Sequence, residues 1–342
     1  MSFDPVLLMG GSGAIGHQAV RALRTTYPDI PVLIGGRDLF KAQKAAAEIG
    51  GAEGVAIDTN CADLGLGERK ISAVVVLYKD HTLAGLRFAQ SRGVPHLSIS
   101  SGVFEIAPEI ASYMNAPGAA AITLGYEWLV GATTVPALHL SKSFSQVHEI
   151  RIGALVDEED VGGPAVAADF AHLNHLMPAA LTRRAGAYMW REGNDARATF
   201  SAIDGTEIAA TGFSSIDVVG LASATGAGNV QFDLGMGISS RRRIGETFST
   251  EIIIDISGLD SVGQALHTRH AIMHPGGAAP LTGMGIALLI ERMVGLDGKP
   301  PVAPGLYFPY QILDAAHYLA RLKQEGGQLM ELPLSSVSGA QQ

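Results

Sequence analysis

The chain has 342 residues, a formal net charge of −9 and 47% hydrophobic residues, enough for about two domains at roughly 100–200 residues each. The acidic balance argues against nucleic acid and against an anionic membrane as partners. The single Cys61 excludes an intramolecular disulfide framework, and no apolar run reaches the ~18 residues needed to span a bilayer. Charged residues amount to 17%, below the average of about 25%, which predicts surface hidden in a homodimer. Neither a basic leader nor a cleavage site precedes the first strand, so a cytoplasmic protein is expected.

The first third alternates strand and helix. Val6-Leu7-Leu8-Met9 is a short continuous apolar run, the pattern of a strand buried on both faces. Ile15, Ala19, Ala22 and Leu23 then share a helix face. Val32–Ile34 and Val55–Ile57 read as strands two and three, with a helix over Leu39–Ile49 between them. Ala73–Leu77 is strand four, Leu83–Ser91 helical, Leu97–Ile99 strand five and Ala120–Leu124 strand six. Such repeated β-α units imply right-handed crossovers and a parallel sheet.

After about Gly125 the pattern changes. A long helix is predicted over Leu129–Phe144, followed by longer alternating strands at Val147–Val156, Asn229–Leu234, Phe248–Ile256 and Gln264–Met273. The last two flank Gly258-Leu259-Asp260-Ser261 and predict a hairpin. Helices are expected at Ala165–Leu176 and Thr282–Val294, a rigid linker at Pro300–Gly305, and a final helix at Tyr310–Gln324. The resulting fold class is α/β: a Rossmann dinucleotide-binding domain over 1–125, which 301–330 could complete, and a second α+β domain over 126–300 on a largely antiparallel sheet. Residues 331–342 read as a mobile tail.

Gly11-Ser12-Gly13-Ala14-Ile15-Gly16 fits G-x-G-x-x-G, and it follows the first buried strand and opens the first helix. One glycine permits the tight turn, one lets the backbone approach a pyrophosphate, and one lets the helix pack on the strand. The free N–H groups of the helix start would hold the phosphates. The end of strand two, Gly35-Gly36-Arg37-Asp38, then bears on cofactor choice. Arg37 can pair with a 2′-phosphate and stack on adenine, with Lys41 and Ser12 adding contacts, so NADP(H) is expected. Asp38 leaves an ambiguity, since it could bind a ribose instead. Asp58 is placed either to meet adenine or to serve as a turn or capping residue. Leu77 and Tyr78 end strand four beneath the dinucleotide, and Ser100 and Ser101 follow strand five near the expected nicotinamide.

Val32-Leu33-Ile34-Gly35-Gly36-Arg37-Asp38 with Lys41-Ala42, taken with the glycine motif, resembles the NADP-binding domain of saccharopine dehydrogenase-like proteins. Ser145–Val156, with Glu149-Ile150-Arg151-Ile152-Gly153-Ala154, resembles the start of their second domain, and Asn229–Leu234 is also similar to it. The resemblance implies a Rossmann domain carrying a substrate domain, often in a dimer, and hydride transfer that forms or breaks C–N bonds through an imine. Residues 126–300 carry no substrate-specific motif, so the small-molecule substrate does not carry over.

Hydride transfer needs a proton donor or acceptor beside the reacting carbon. Tyr126 and Glu127, just past strand six, lie at the carboxyl edge where open α/β sites form; a hydrogen bond at the domain junction is the alternative. Asp169, His172 and His175 share a helix face and make either an acid–base cluster or a solvated surface. His267, His270 and His274 lack metal-binding spacing, and no metal is expected. Arg241-Arg242-Arg243 reads as a charged loop or interface in preference to a carboxylate site. A Tyr-x-x-x-Lys pair and a G-x-S-x-G elbow are both absent. Two functions stay open: an NADP(H)-dependent oxidoreductase acting on an imine–amine or carbonyl substrate, and a redox sensor or assembly protein that binds NADP(H) without consuming it.

Overall fold

The computed structural model describes residues 3–160, 162 and 179–334. They form two compact units: 3–132, 162 and 279–318 in the first, and 133–160, 179–278 and 319–334 in the second. No helix among the described residues is long and apolar enough to cross a membrane.

The first unit begins with β1 (Val6–Met9), buried throughout, and α1 (Ala14–Thr26). Next come β2 (Val32–Gly36), α2 (Leu39–Ile49), β3 (Ala52–Ala56), β4 (Ala73–Val76), α3 (Ala84–Arg92), β5 (His96–Ser98), α4 (Ala107–Asn115) and β6 (Ala121–Leu124). Every strand pairs in parallel, β1 lying between β2 and β4. Leu8, Ile34 and Val75 pack with Val20 and Leu23 of α1 on one face of the sheet, while Leu7, Leu33 and Val74 pack with Phe88 of α3 on the other. Each such buried aliphatic side chain is worth about 1.5–3 kcal/mol of transfer free energy, which explains the unbroken apolar run of β1.

The predicted helix over Leu129–Phe144 is much shorter. Leu129, Val130 and Gly131 take left-handed backbone, with φ of 49°, 59° and 93°. Helix α5 (Thr134–Leu140) follows, and a 3-10 turn covers Ser141–Ser143. Pro136 supplies the reason: without an N–H it is tolerated only in a helix's first turn, so the helix cannot extend far upstream of it.

The second unit is built around β7 (Gln146–Asp157). The chain adds β8 (Ala180–Arg184), β9 (Ala187–Arg191), β10 (Arg197–Ser201), β11 (Glu207–Gly212), α6 (Asp217–Thr225), β12 (Asn229–Gly237), the short α7 (Ser240–Arg243), β13 (Thr250–Leu259) and β14 (Ala265–His274). β13 and β14 make the predicted hairpin. The sheet is mixed, since β7 and β12 run parallel while β7 and β13 run antiparallel.

Helix α8 (Ala278–Met293) is buried along most of its length. A Cβ on Gly283 would stand 2.6 Å from the backbone of Gln18, so only glycine lets this helix approach α1. Beyond the Pro300–Gly305 linker, β15 (Gly305–Tyr307) pairs in parallel with β6. The predicted final helix is two: α9 (Pro309–Ile312) and α10 (Ala315–Gln324). Leu313 is extended between them, and Asp314 restarts the helix by accepting the His317 N–H at 2.8 Å. β16 (Gln328–Glu331) then pairs with β14, so Glu331, the first residue of the predicted tail, ends a strand. The parallel sheet runs β15-β6-β5-β4-β1-β2-β3, a doubly wound order whose switch point lies between β1 and β4. In such sheets ligands settle outside the carboxyl ends of the strands at the switch point.

Candidate dinucleotide and proton-transfer site

The turn from β1 to α1 assigns each glycine a separate task. Gly10, one residue ahead of the expected motif, takes the left-handed backbone at φ 80° and donates its N–H to Gly35 O at 2.8 Å. A Cβ on Gly16 would lie 2.2 Å from Gly11 O, so Gly16 allows the helix to sit against the turn. Gly11 and Gly16 are buried, whereas Ser12, Gly13 and Ala14 are exposed and Ile15 packs its side chain on the core. Gly13 is the N-cap of α1 and has no side chain to cap it. The first-turn N–H groups at the positive end of the helix dipole are therefore uncapped by any side chain, the arrangement that suits a phosphate.

At the end of β2, Arg37 is exposed and has no ion-pair partner among the described residues. It is near enough to Tyr78 to act electrostatically on the phenol. Asp38 is otherwise engaged: it caps α2, accepting the Lys41 N–H at 3.1 Å, with Lys41 Nζ at 4.0 Å. Asp58 is tied into its own turn, accepting the Asn60 N–H at 2.9 Å and the Cys61 thiol at 3.3 Å. These bonds hold its carboxyl below the ordinary range. Leu77 extends β4 by donating its N–H to Met9 O at 3.0 Å. The Tyr78 ring lies against Gly10, where an added Cβ would come within 2.9 Å of it; burial, and then Asp80, push its phenol up to about 12.

The carboxyl ends of β4, β5 and β6 bring together a set of polar side chains that sequence reasoning found only in part. Tyr126 is 9% exposed. Its phenol donates to Glu109 Oε1 and lies 2.5 Å from Ser98 Oγ, and Ser101 also bonds to it. Ser101 in turn accepts from Lys79 Nζ at 2.7 Å, and Lys79 pairs with Glu105 at 3.5 Å. A recess of about 10 Å³, room for about one water molecule, is lined by Tyr78, Asp80, His96, Ser98, Ser100, Ser101, Glu109 and Tyr126. His96 is 2% exposed, its Nδ1 has no hydrogen-bond partner among the described residues, and burial drives the imidazole down to about 4. Glu109 is 5% exposed with Oε2 unpartnered among the described residues, and burial raises its carboxyl against the opposing pulls of Tyr126 and Lys79. Burial likewise lifts the Tyr126 phenol well above its ordinary value, and Glu109 adds to the effect.

Lys79, His96, Ser98, Glu105 and Glu109 were not singled out from the sequence. Lys79 could have been, because it lies three residues past the end of β4 at the carboxyl edge. Glu109 carries no local signal: it lies in the first turn of α4 and meets Tyr126 only through the fold.

Other candidates are placed differently. Glu127 is buried and does not line the recess; it faces Tyr318, whose phenol is raised by burial and then by Glu127. Asp169, His172 and His175 lie outside the described residues. Arg241, Arg242 and Arg243 are committed to Glu246, Asp157 and Asp204 at 2.8, 2.7 and 2.6 Å. His274 accepts the Gly276 N–H and bonds Glu325 O, and no metal-binding cluster occurs among the described residues.

This order of strands, with a glycine turn at its switch point, defines a Rossmann-type dinucleotide-binding fold joined to a mixed sheet. No protein-family model matches the sequence, and no curated protein does. Among solved structures, the saccharopine dehydrogenase (L-Glu forming) of Saccharomyces cerevisiae aligns with a TM-score of 0.68 at 13% identity, covering 97% of this chain and 100% of the other. The homospermidine synthase of Legionella pneumophila, solved in complex with NAD, aligns with a TM-score of 0.65 at 10% identity, covering 100% of this chain and 94% of the other. The chain has a saccharopine dehydrogenase-like fold.

Proposed function

We propose that this protein is an NADP(H)-dependent oxidoreductase that transfers a hydride to or from a small imine–amine or carbonyl substrate. The observation that carries the reading is the pairing of an uncapped helix start at Gly13 with an exposed Arg37 at the neighbouring strand end, which has no ion-pair partner among the described residues. The glycines fit a dinucleotide there, since Gly16 closes the helix onto the turn and Gly13 leaves the backbone open on its outer side. Arg37 would fork onto a 2′-phosphate, with Lys41 and Ser12 at the rim, while Leu77 and Tyr78 floor the site. The NAD complex of the homospermidine synthase supports a nicotinamide dinucleotide in this fold. When bound, the dinucleotide supplies or accepts the hydride, and the chain's own task is to position the substrate and move a proton.

Tyr126 is the proton donor in this reading, with Ser100 and Ser101 nearest the reacting ring. The imine–amine class follows the resemblance of β2 and β7 to saccharopine dehydrogenase-like proteins. Assembly as a homodimer through residues 126–300 belongs to the same reading, and light scattering that finds a monomer at micromolar concentration overturns that part. The deciding experiment is titration of the protein with NADPH and NADH, followed by a panel of amines, imines and carbonyl compounds. Tighter binding of NADPH with turnover on the panel is the expected result. Binding without consumption would identify a sensor instead.

A further inference from the structure

We propose that Glu109 works in its protonated form as the acid behind Tyr126, so that the phenol can surrender a proton only while the Glu109 carboxyl is neutral. The inference rests on the oxidoreductase reading, and its starting point is geometric. The Tyr126 phenol donates to Glu109 Oε1 inside a site where both side chains are buried. If Glu109 were a carboxylate, release of the phenolic proton would leave two anions within hydrogen-bond distance and largely out of water, an arrangement that strongly disfavours double ionisation. A neutral carboxyl removes that penalty and can itself refill the phenol.

The groups around the pair allow this assignment. Ser98 and Ser101 approach the phenolic oxygen and can donate to it, but neither carries charge. Lys79, which acts electrostatically on Glu109, is held by Glu105 and Ser101. Asp80 is spent on the N–H groups of Thr82 and Gly85, and it and Glu105 both add negative field at Glu109. His96, buried on the neighbouring strand, is neutral. The second carboxyl oxygen of Glu109, Oε2, has no hydrogen-bond partner among the described residues, so no donor on that side holds the charged form, and the proton can sit on Oε1 toward the phenol. Desolvation thus dominates, and it favours the acid.

The proton balance is simple. As the hydride reaches the substrate carbon, its nitrogen or oxygen gains a lone pair and takes the phenolic proton of Tyr126. The phenolate oxygen then takes the proton of Glu109, leaving a carboxylate. Glu109 regains its proton from solvent after turnover. In the oxidative direction each transfer reverses.

Two measurements test this. Isotope-edited infrared spectroscopy of the whole chain, titrated without substrate, should show one glutamic acid carbonyl persisting above the ordinary glutamate range and vanishing in Glu109→Gln. A spectrum with no such band, or one unchanged in Glu109→Gln, overturns the proposal whether or not a substrate is known. In single-turnover hydride transfer, the parent rate should fall about tenfold per pH unit once Glu109 ionises, and Glu109→Gln, which cannot ionise, should lose that alkaline fall while binding NADPH as the parent does. An unchanged alkaline fall in Glu109→Gln also overturns it. If the infrared band is present but no panel compound is turned over, the oxidoreductase reading fails and the protonation of Glu109 stands.

Discussion

At the β2 end of the parallel sheet, Arg37, Asp38 and Lys41 are exposed, and the turn beside them offers uncapped backbone donors. At the β5–β6 end of the same sheet edge, His96, Ser98, Glu109 and Tyr126 are buried and the ionisable groups among them are shifted from their ordinary values. One region is prepared to meet a charged ligand in water. The other is buried, so any charge that develops there depends on its neighbours. Fixed strand ends and a helix dipole suit recognition, and burial suits proton chemistry. The largest effect of any substitution should therefore come from the buried region.

Tyr126→Phe removes the phenolic proton while keeping the ring's volume. In the proposed reaction it should slow single-turnover hydride transfer by about 10²–10⁴-fold and leave NADPH affinity near that of the parent. Parent-like turnover would move the donor elsewhere, with His172 the next candidate.

The buried imidazole of His96 should register in stability rather than in rate. Its folded value is about 4 against an ordinary 6.5, so between those values the unfolded chain binds a proton that the folded chain refuses. Stability should be intact above about pH 6.5 and decline as the pH falls toward 4, by up to about 3 kcal/mol. Urea denaturation across that window should show a shallower decline for His96→Gln than for the parent. Parallel declines would mean that water or a neighbour compensates the ring.

The contrast also explains what could be read directly from the chain. Val6–Met9 and Ala73–Val76 are legible because strands buried on both faces need unbroken apolar runs, and the glycine turn is legible because its neighbours in sequence are its neighbours in space. The β8–β9 hairpin is not, since Tyr188, Met189 and Trp190 are all exposed and so carry no alternation to detect. The β13–β14 hairpin, with one face buried, has that alternation. Tyr126 was found by its place after a strand, but the acid it meets is seventeen residues away on another element. Local periodicity cannot encode that pairing.

On the exposed side, Arg37→Ala should weaken NADPH by about 10–10²-fold, the equivalent of one or two charge-assisted hydrogen bonds, and change NADH much less. Fluorescence titration of both dinucleotides reads the difference. An equal loss for both would mean that Arg37 acts on the shared part of the cofactor.

The smallest expected effect concerns Asp38, one residue further on. Read from the sequence, it could hold a ribose; in the fold its carboxylate accepts the Lys41 N–H and caps α2. Loss of a cap costs about 0.5–2 kcal/mol, and asparagine caps about as well as aspartate. Asp38→Ala should therefore lower the thermal midpoint modestly, and Asp38→Asn should not. Asp38→Asn also removes a negative charge beside the proposed 2′-phosphate, so it should raise NADPH affinity slightly and leave NADH affinity unchanged. An aspartate that held the ribose would behave in the opposite way. Both variants would then lose NADH affinity, and the alanine variant would show no stability penalty beyond that of the asparagine variant. Thermal denaturation and dinucleotide titration of the two variants side by side separate a capping residue from a binding one.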